Sequence, residues 1–296
     1  MTITAPRYEG RVAVGGGRYL GVAEFGPPTS EQSIVWFHGT PGARRQIPEA
    51  ARRIADERGV RILGIDRPGV GLSTPHLYHQ LLDATVDLEL ALGRLGIGRF
   101  STVGLSGGAP YALAAAHAFP DRVPTVGILG GVVPSGGEEG TGGGLVSLAT
   151  RFKPLLPLLS EPVGSLLTTV VRLARPVAPH ALDLYARFSP PGDRAVLAQP
   201  ENKEMFLDDL INSGRHGMRA VAYDAILFTR HWGFNVRDLR VPVTWWQGDE
   251  DNIVPLAHAE HIVGIIPGAE LRVRKGDGHL GGLGIAAEVC DTVLAW

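Results

Sequence analysis

A single cysteine in 296 residues, Cys290, rules out an intrachain disulfide and leaves no thiol pair to hold zinc. Cys290 is expected to be a buried small hydrophobe near the carboxyl end. Basic residues are not in excess: 28 Lys and Arg stand against 30 Asp and Glu, so the electrostatic footprint of a nucleic-acid binder is missing. No apolar run approaches the roughly 18 residues that span a bilayer. Met1 to Arg7 lacks the charged segment and following apolar stretch of a secretory leader. These absences predict a cytoplasmic protein with neither nucleic acid nor membrane as partner; a small-molecule substrate and a monomer or homodimer are the accompanying expectations. HExxH and paired CxxC are missing, and the glycine run Gly136–Gly144 lacks the Gly-Lys-Ser/Thr of a phosphate loop, so no metal or organic cofactor is expected.

What is present is apolar material for a large core, at 44% hydrophobic and 20% charged residues. Ser33–Phe37, Arg61–Ile65, Phe100–Val103, Thr125–Leu129, Val243–Trp246 and Leu271–Val273 read as strands, the first two nearly continuous in apolar residues as burial on both faces requires, and most of them separated by helical stretches. That alternation predicts an α/β fold, a mostly parallel sheet with helices on both faces. The helix after the first of these strands sets Ile47, Ala50, Ala51, Ile54 and Ala55 on one stripe with Arg52, Arg53, Asp56 and Glu57 toward water, and ends at Gly59. A second runs through Val86, Leu88, Leu92 and Leu95 to Gly96, a third from Ala109 to Phe119, and a last carries Ile285, Val289 and Val293. Residues 135–237 break the rhythm with helical runs, many prolines and no strong strand, which predicts a helical insertion between core segments 1–134 and 238–296. Its leucine pairs with Phe152, Phe188, Phe206, Phe228 and Trp232 suggest an apolar pocket.

Gly104-Leu105-Ser106-Gly107-Gly108 fits G-x-S-x-G, a pattern that 40 glycines produce by chance on the order of 0.2 times, so context decides. Here it follows a strand and opens a helix rich in alanine. A turn that tight excludes Cβ atoms at Gly104 and Gly108, exposes Ser106, and leaves the Gly107 amide free for an oxyanion. A serine nucleophile needs a base. His279, in Gly276-Asp277-Gly278-His279-Leu280 after a strand, should lie at the same sheet edge, whereas His258 and His261 fall on a helix and His216 and His231 on the insertion. Asp249, Glu250 and Asp251, after the strand Val243–Trp246, all suit the orienting acid, and spacing alone does not choose among them.

Together these stretches resemble the α/β-hydrolase superfamily, over nearly the whole chain and in its Ser…Asp…His order. Gly248-x-x-Asp251-x-x-Val254-Pro255 is similar to the family's acid loop and singles out Asp251, with Asp249 in reserve. His38-Gly39-Thr40-Pro41-Gly42 resembles its oxyanion loop. That implies the Thr40 amide as a second oxyanion donor, with His38 and Gly39 supporting the loop. Asp66 to Ser73 matches its architectural D-x-x-G-x-G-x-S turn. The resemblance further implies eight strands, a helical cap after the sixth, and a serine hydrolase of esters. Proline iminopeptidases, C–C hydrolases, perhydrolases and non-catalytic ligand binders share the fold. Gly107 stands where the iminopeptidases carry a bulky aromatic, and the elbow has no aspartate nucleophile of the dehalogenase and epoxide hydrolase kind.

Overall fold

The computed structural model describes residues 3–135, 139–141, 156–213 and 217–296. Eight strands form one sheet: β1 (Tyr8–Ala13), β2 (Tyr19–Phe25), β3 (Ser33–Phe37), β4 (Arg61–Ile65), β5 (Ser101–Leu105), β6 (Val126–Leu129), β7 (Val243–Gly248) and β8 (Glu270–Arg274). Their order across the sheet is β1-β2-β4-β3-β5-β6-β7-β8. β1 and β2 form an antiparallel hairpin, β2 also runs antiparallel to β4, and every remaining pairing is parallel. The β1–β2 hairpin turns through Gly15, Gly16 and Gly17, all at positive φ, a region open to glycine at no steric cost.

The pleat divides the central parallel strands between two cores. Ile34 and Trp36 of β3 join Ile62 of β4 on one face, while Val35 and Phe37 join Leu63 and Ile65 on the other. Burial on both faces is why these strands read as continuous apolar runs. Helix α1 (Glu49–Glu57) covers the first face, with Ala51, Ile54 and Ala55, beside the last helix of the chain, α10 (Ala286–Leu294), with Val289, Cys290 and Val293. Helices α2 (Ala84–Leu95) and α3 (Ala109–Ala118) cover the second. Gly59 and Gly96, both left-handed, stop α1 and α2 where expected. Cys290 is buried, and that burial pushes its thiol up to about 12.

Two side chains face the other way from their expected direction. Val86 of α2 is exposed, because the buried stripe runs through Leu88, Ala91 and Leu92. Arg52 of α1 is buried. Its guanidinium turns inward to donate to the carbonyls of Ile47, Arg45 and Thr4 at 2.9, 2.6 and 2.7 Å and lies over the Phe25 ring. Helical periodicity sends a charge outward, but carbonyls in irregular backbone beneath a helix need donors, and a long arginine reaches them.

Between β6 and β7 run α4 (Leu156–Ala174), α5 (Ala178–Phe188), α6 (Pro191–Ala198), α7 (Pro200–Ser213) and α8 (Arg219–Phe228), with no strand among the described residues. Before β8 comes α9 (Leu256–Ile265). Most of the Gly136–Gly144 run, together with Phe152, Leu155 and His216, lies outside the described residues, as do the side chains of Leu156, Leu158 and Leu159. No described helix is long and apolar enough to cross a membrane.

Candidate active site

Ser106 follows β5 directly and opens the turn that leads into α3. It is the non-glycine residue with positive φ, +50°, among those described, a sparsely populated conformation that persists only where surroundings enforce it. The enforcement is visible at the two neighbouring glycines. A Cβ on Gly104 would come within 2.7 Å of Ala109 Cα, and one on Gly108 within 2.1 Å of the Phe37 carbonyl oxygen. The turn therefore accepts no side chain at the positions two residues before and two residues after the serine.

His279, on the loop after β8, and Asp251, on the loop after β7, reach the same carboxyl edge of the parallel strands. His279 Nε2 lies 2.8 Å from Ser106 Oγ, and His279 Nδ1 lies 2.8 Å from Asp251 Oδ2. Asp251 is 5% exposed and fully engaged: Oδ1 accepts from the amides of Ile253 and Val254 at 2.8 and 2.9 Å, and Oδ2 also accepts from Gln247 Nε2 at 2.9 Å. Those donors fix which oxygen meets the imidazole. Asp249 is instead exposed and accepts from the Gly276 amide at 2.7 Å, while Glu250 is exposed too. His258 and His261 lie on α9, and His231 Nδ1 accepts from the Gly233 amide.

The loop after β3 borders Ser106. His38 is buried, and burial beside Arg67 pulls its imidazole well below the usual range, so it is neutral at physiological pH. Its Nδ1 is 2.8 Å from the Gly39 carbonyl, and Gly39 N–H donates to Gln46 Oε1 at 2.6 Å. His38 and Gly39 thus sit in the scaffold of the loop. Thr40 Oγ1 donates to Asp224 Oδ2 at 2.6 Å and accepts from Arg67 Nη2 at 2.7 Å. Arg67 also binds the carbonyls of His38 and Gly39 at 2.5 and 2.8 Å and pairs with Asp224 at 2.8 Å, and Tyr111 donates to the other Asp224 oxygen at 2.9 Å. Burial raises the Asp224 carboxyl, yet three donors surround it. A Cβ on Gly107 would lie 2.2 Å from Thr40 Oγ1 and 3.2 Å from the Phe228 ring, so the volume an aromatic would need at that position is already occupied.

A third carboxylate supports the base. Asp193 of α6 is 1% exposed, and its Oδ1 accepts from the amides of Gly278 and Leu280, the residues flanking His279, both at 3.0 Å. Asp66, meanwhile, closes the turn to Ser73 by accepting from the Leu72 and Arg44 amides at 2.8 and 2.7 Å and pairing with the Arg44 guanidinium. Neither Asp193 nor Asp224 carried any signal in the sequence: each is a lone acid on a helix.

Ser106 and His279 open on a cavity of about 310 Å³ walled by Leu105, Leu182, Tyr185, Phe206, Leu210 and Leu280. Phe206 thus faces the space expected of it. Phe228 and Trp232 belong to the core under the sheet, and Phe188 is exposed beside a neighbouring cavity that also touches His279. Among the described residues no three His, Cys, Asp or Glu side chains are grouped to hold a metal ion.

Comparison with known proteins matches residues 32–283 to the family described as alpha/beta hydrolase fold. A stretch of 92 residues, 30% of this chain and 29% of the relative, is 35% identical to a proline iminopeptidase from Xylella fastidiosa. Among solved structures, an esterase from Exiguobacterium antarcticum superposes with a TM-score of 0.68 at 18% identity, covering 97% of this chain and 99% of its own. A bromoperoxidase from Bacillus anthracis does so at 0.67 and 20% identity, covering 97% and 98%. With the family match spanning most of its length and an eight-stranded sheet of the same kind, the chain belongs to the alpha/beta hydrolase fold family.

Proposed function

We propose that this protein is a serine hydrolase of carboxylic esters with small or medium acyl groups, and that Ser106, His279 and Asp251 are its nucleophile, base and orienting acid. The observation that carries this reading is the unbroken path of two 2.8 Å contacts from the hydroxyl through the imidazole to a carboxylate. That spacing is within proton-transfer reach. In the proposed cycle the Ser106 hydroxyl oxygen attacks the ester carbonyl while His279 Nε2 takes its proton. Asp251 accepts from Nδ1–H and stabilises the imidazolium. The tetrahedral oxyanion is held by the amides of Thr40 and Gly107. His279 then returns the proton to the departing alcohol, and water, activated by the same histidine, releases the acid.

Residues 135–237 are read as the cap and the remainder as the core, since the helices between β6 and β7 supply Leu182, Tyr185, Phe206 and Leu210 to the cavity wall. Apolar walls favour an apolar acyl group. A second reading, an aminopeptidase of the proline-iminopeptidase type, is favoured by the 92-residue relative. Two measurements test the proposal. A fluorophosphonate should label Ser106 in the native protein, and Ser106→Ala should lose roughly 10⁴- to 10⁶-fold in kcat on p-nitrophenyl esters of graded chain length. Absence of labelling would favour a ligand-binding protein, and a preference for aminoacyl arylamides would favour the peptidase.

A further inference from the structure

One residue that lines the cavity beside Ser106 carries a buried polar atom without a hydrogen-bond partner among the described residues. Asp209, on α7, lines it and is 2% exposed. Its Oδ2 accepts from the Ala43 amide at 2.9 Å, but Oδ1 finds no hydrogen-bond partner among the described residues. The neighbouring polar groups are spoken for. Gln46 accepts from Gly39, Thr40 is held between Arg67 and Asp224, and Arg44 is bound to Asp66 and Glu9. A buried carboxylate oxygen without a donor is strongly disfavoured, and a protein retains one readily where a ligand completes it.

We propose that Asp209 is a specificity-determining residue, its free oxygen accepting a hydrogen bond from an N–H or O–H group on the acyl part of the substrate. The inference rests on the esterase reading of the same cavity. It adds a polar requirement to a pocket whose walls are otherwise mostly apolar, so a purely aliphatic acyl chain would leave the acceptor unsatisfied. The charged groups around Asp209 are Asp66 from the turn after β4, Asp208 on its own helix, Arg44 from the loop after β3 and Arg52 of α1, with Arg45 pairing to Asp208 and Glu9 of β1 pairing to both Arg44 and Arg45. Burial, aided by Asp66 and Asp208, raises the Asp209 carboxyl to about 7. Its acceptor strength therefore changes across neutral pH, with the ionised form above that point.

The probes are p-nitrophenyl esters of 3-arylpropanoic acids whose ring carries methyl, hydroxyl or aminomethyl at the meta or para position. A ring substituent cannot cyclise onto the ester, and the two donors separate an O–H from an ammonium. At pH 8 at least one donor-bearing ester should exceed its methyl counterpart in kcat/KM by roughly 10- to 100-fold. The hydroxyl-to-methyl ratio should fall as pH drops through about 7, a change in which the titration of the triad cancels. Asp209→Asn should abolish the pH dependence of that ratio, and Asp209→Leu the preference itself. Equal or better turnover of the methyl esters at both positions by the native protein would overturn the proposal, even if a variant fails to fold. So would full preference in a folded, fluorophosphonate-reactive Asp209→Leu. Failure of labelling and of all ester turnover would instead reject the hydrolase reading itself.

Discussion

Asp193→Ala should loosen the base without touching the triad. The Asp193 carboxylate holds the amides on both sides of His279, each at 3.0 Å, from a helix remote in sequence. Removing it leaves two amide donors without their acceptor, at about 1–3 kcal/mol each. Part of that loss is offset because burial already raises the Asp193 carboxyl, so the charge itself is costly there. The net loss of stability should be about 2–4 kcal/mol, measured by urea unfolding. The imidazole depends on the freed loop for its position, and a displacement near 1 Å costs about 10²-fold in rate. Steady-state turnover of a p-nitrophenyl ester should therefore fall roughly 10- to 100-fold in kcat, with KM little changed. Asp193→Asn keeps an amide oxygen for both bonds and should recover most of the rate. An alanine variant with native kcat and native stability would refute the reasoning.

Asp251→Asn should lower kcat by about 10⁴-fold, because the amide would hold the wrong imidazole tautomer, while Asp249→Asn, which alters only an exposed turn, should stay within about threefold. The reverse pattern in the same ester assay would exchange their roles. Gly107→Ala should cost about tenfold or more in kcat, since its methyl would force Thr40 away from Ser106; equal rates would dissociate that loop from catalysis. Asp209 has a folded pKa near 7, above its ordinary 3.8, so its contribution to stability is greatest below pH 4 and is lost as pH rises to about 7. Asp209→Asn, which cannot ionise, should thus be more stable relative to the native protein at pH 8 than at pH 5, by up to a few kcal/mol in denaturant melts.

The central strands were legible because burial on both faces writes itself as unbroken apolar runs, and the turn at Ser106 because only glycine fits two residues to either side of it. The hairpin of β1 and β2 was not, since β1 buries only Val12, β2 mixes Gly21 and Glu24 into its buried positions, and only the family resemblance implied two more strands. Of the three acids at the proposed triad, position in the chain left the choice open; the structure distinguishes them by contact, with Asp251 against His279 and Asp249 against Gly276. Asp193, Asp209 and Asp224 had no legible signal. Their significance lies in which backbone or side-chain donor each meets, or fails to meet, across a gap of tens to hundreds of residues. Arg52 misled for a related reason: periodicity registers the side of a helix, not the unpaired carbonyls beneath it.

Asp193 and Asp224 both come from the stretch joining β6 to β7, and they brace opposite halves of the chemistry, one the histidine loop and the other the threonine of the loop after β3. That stretch is consequently no interchangeable lid. Grafting the corresponding segment of a distant homologue, in the hope of importing a new substrate range, would unfasten both loops at once unless the two acids travelled with it.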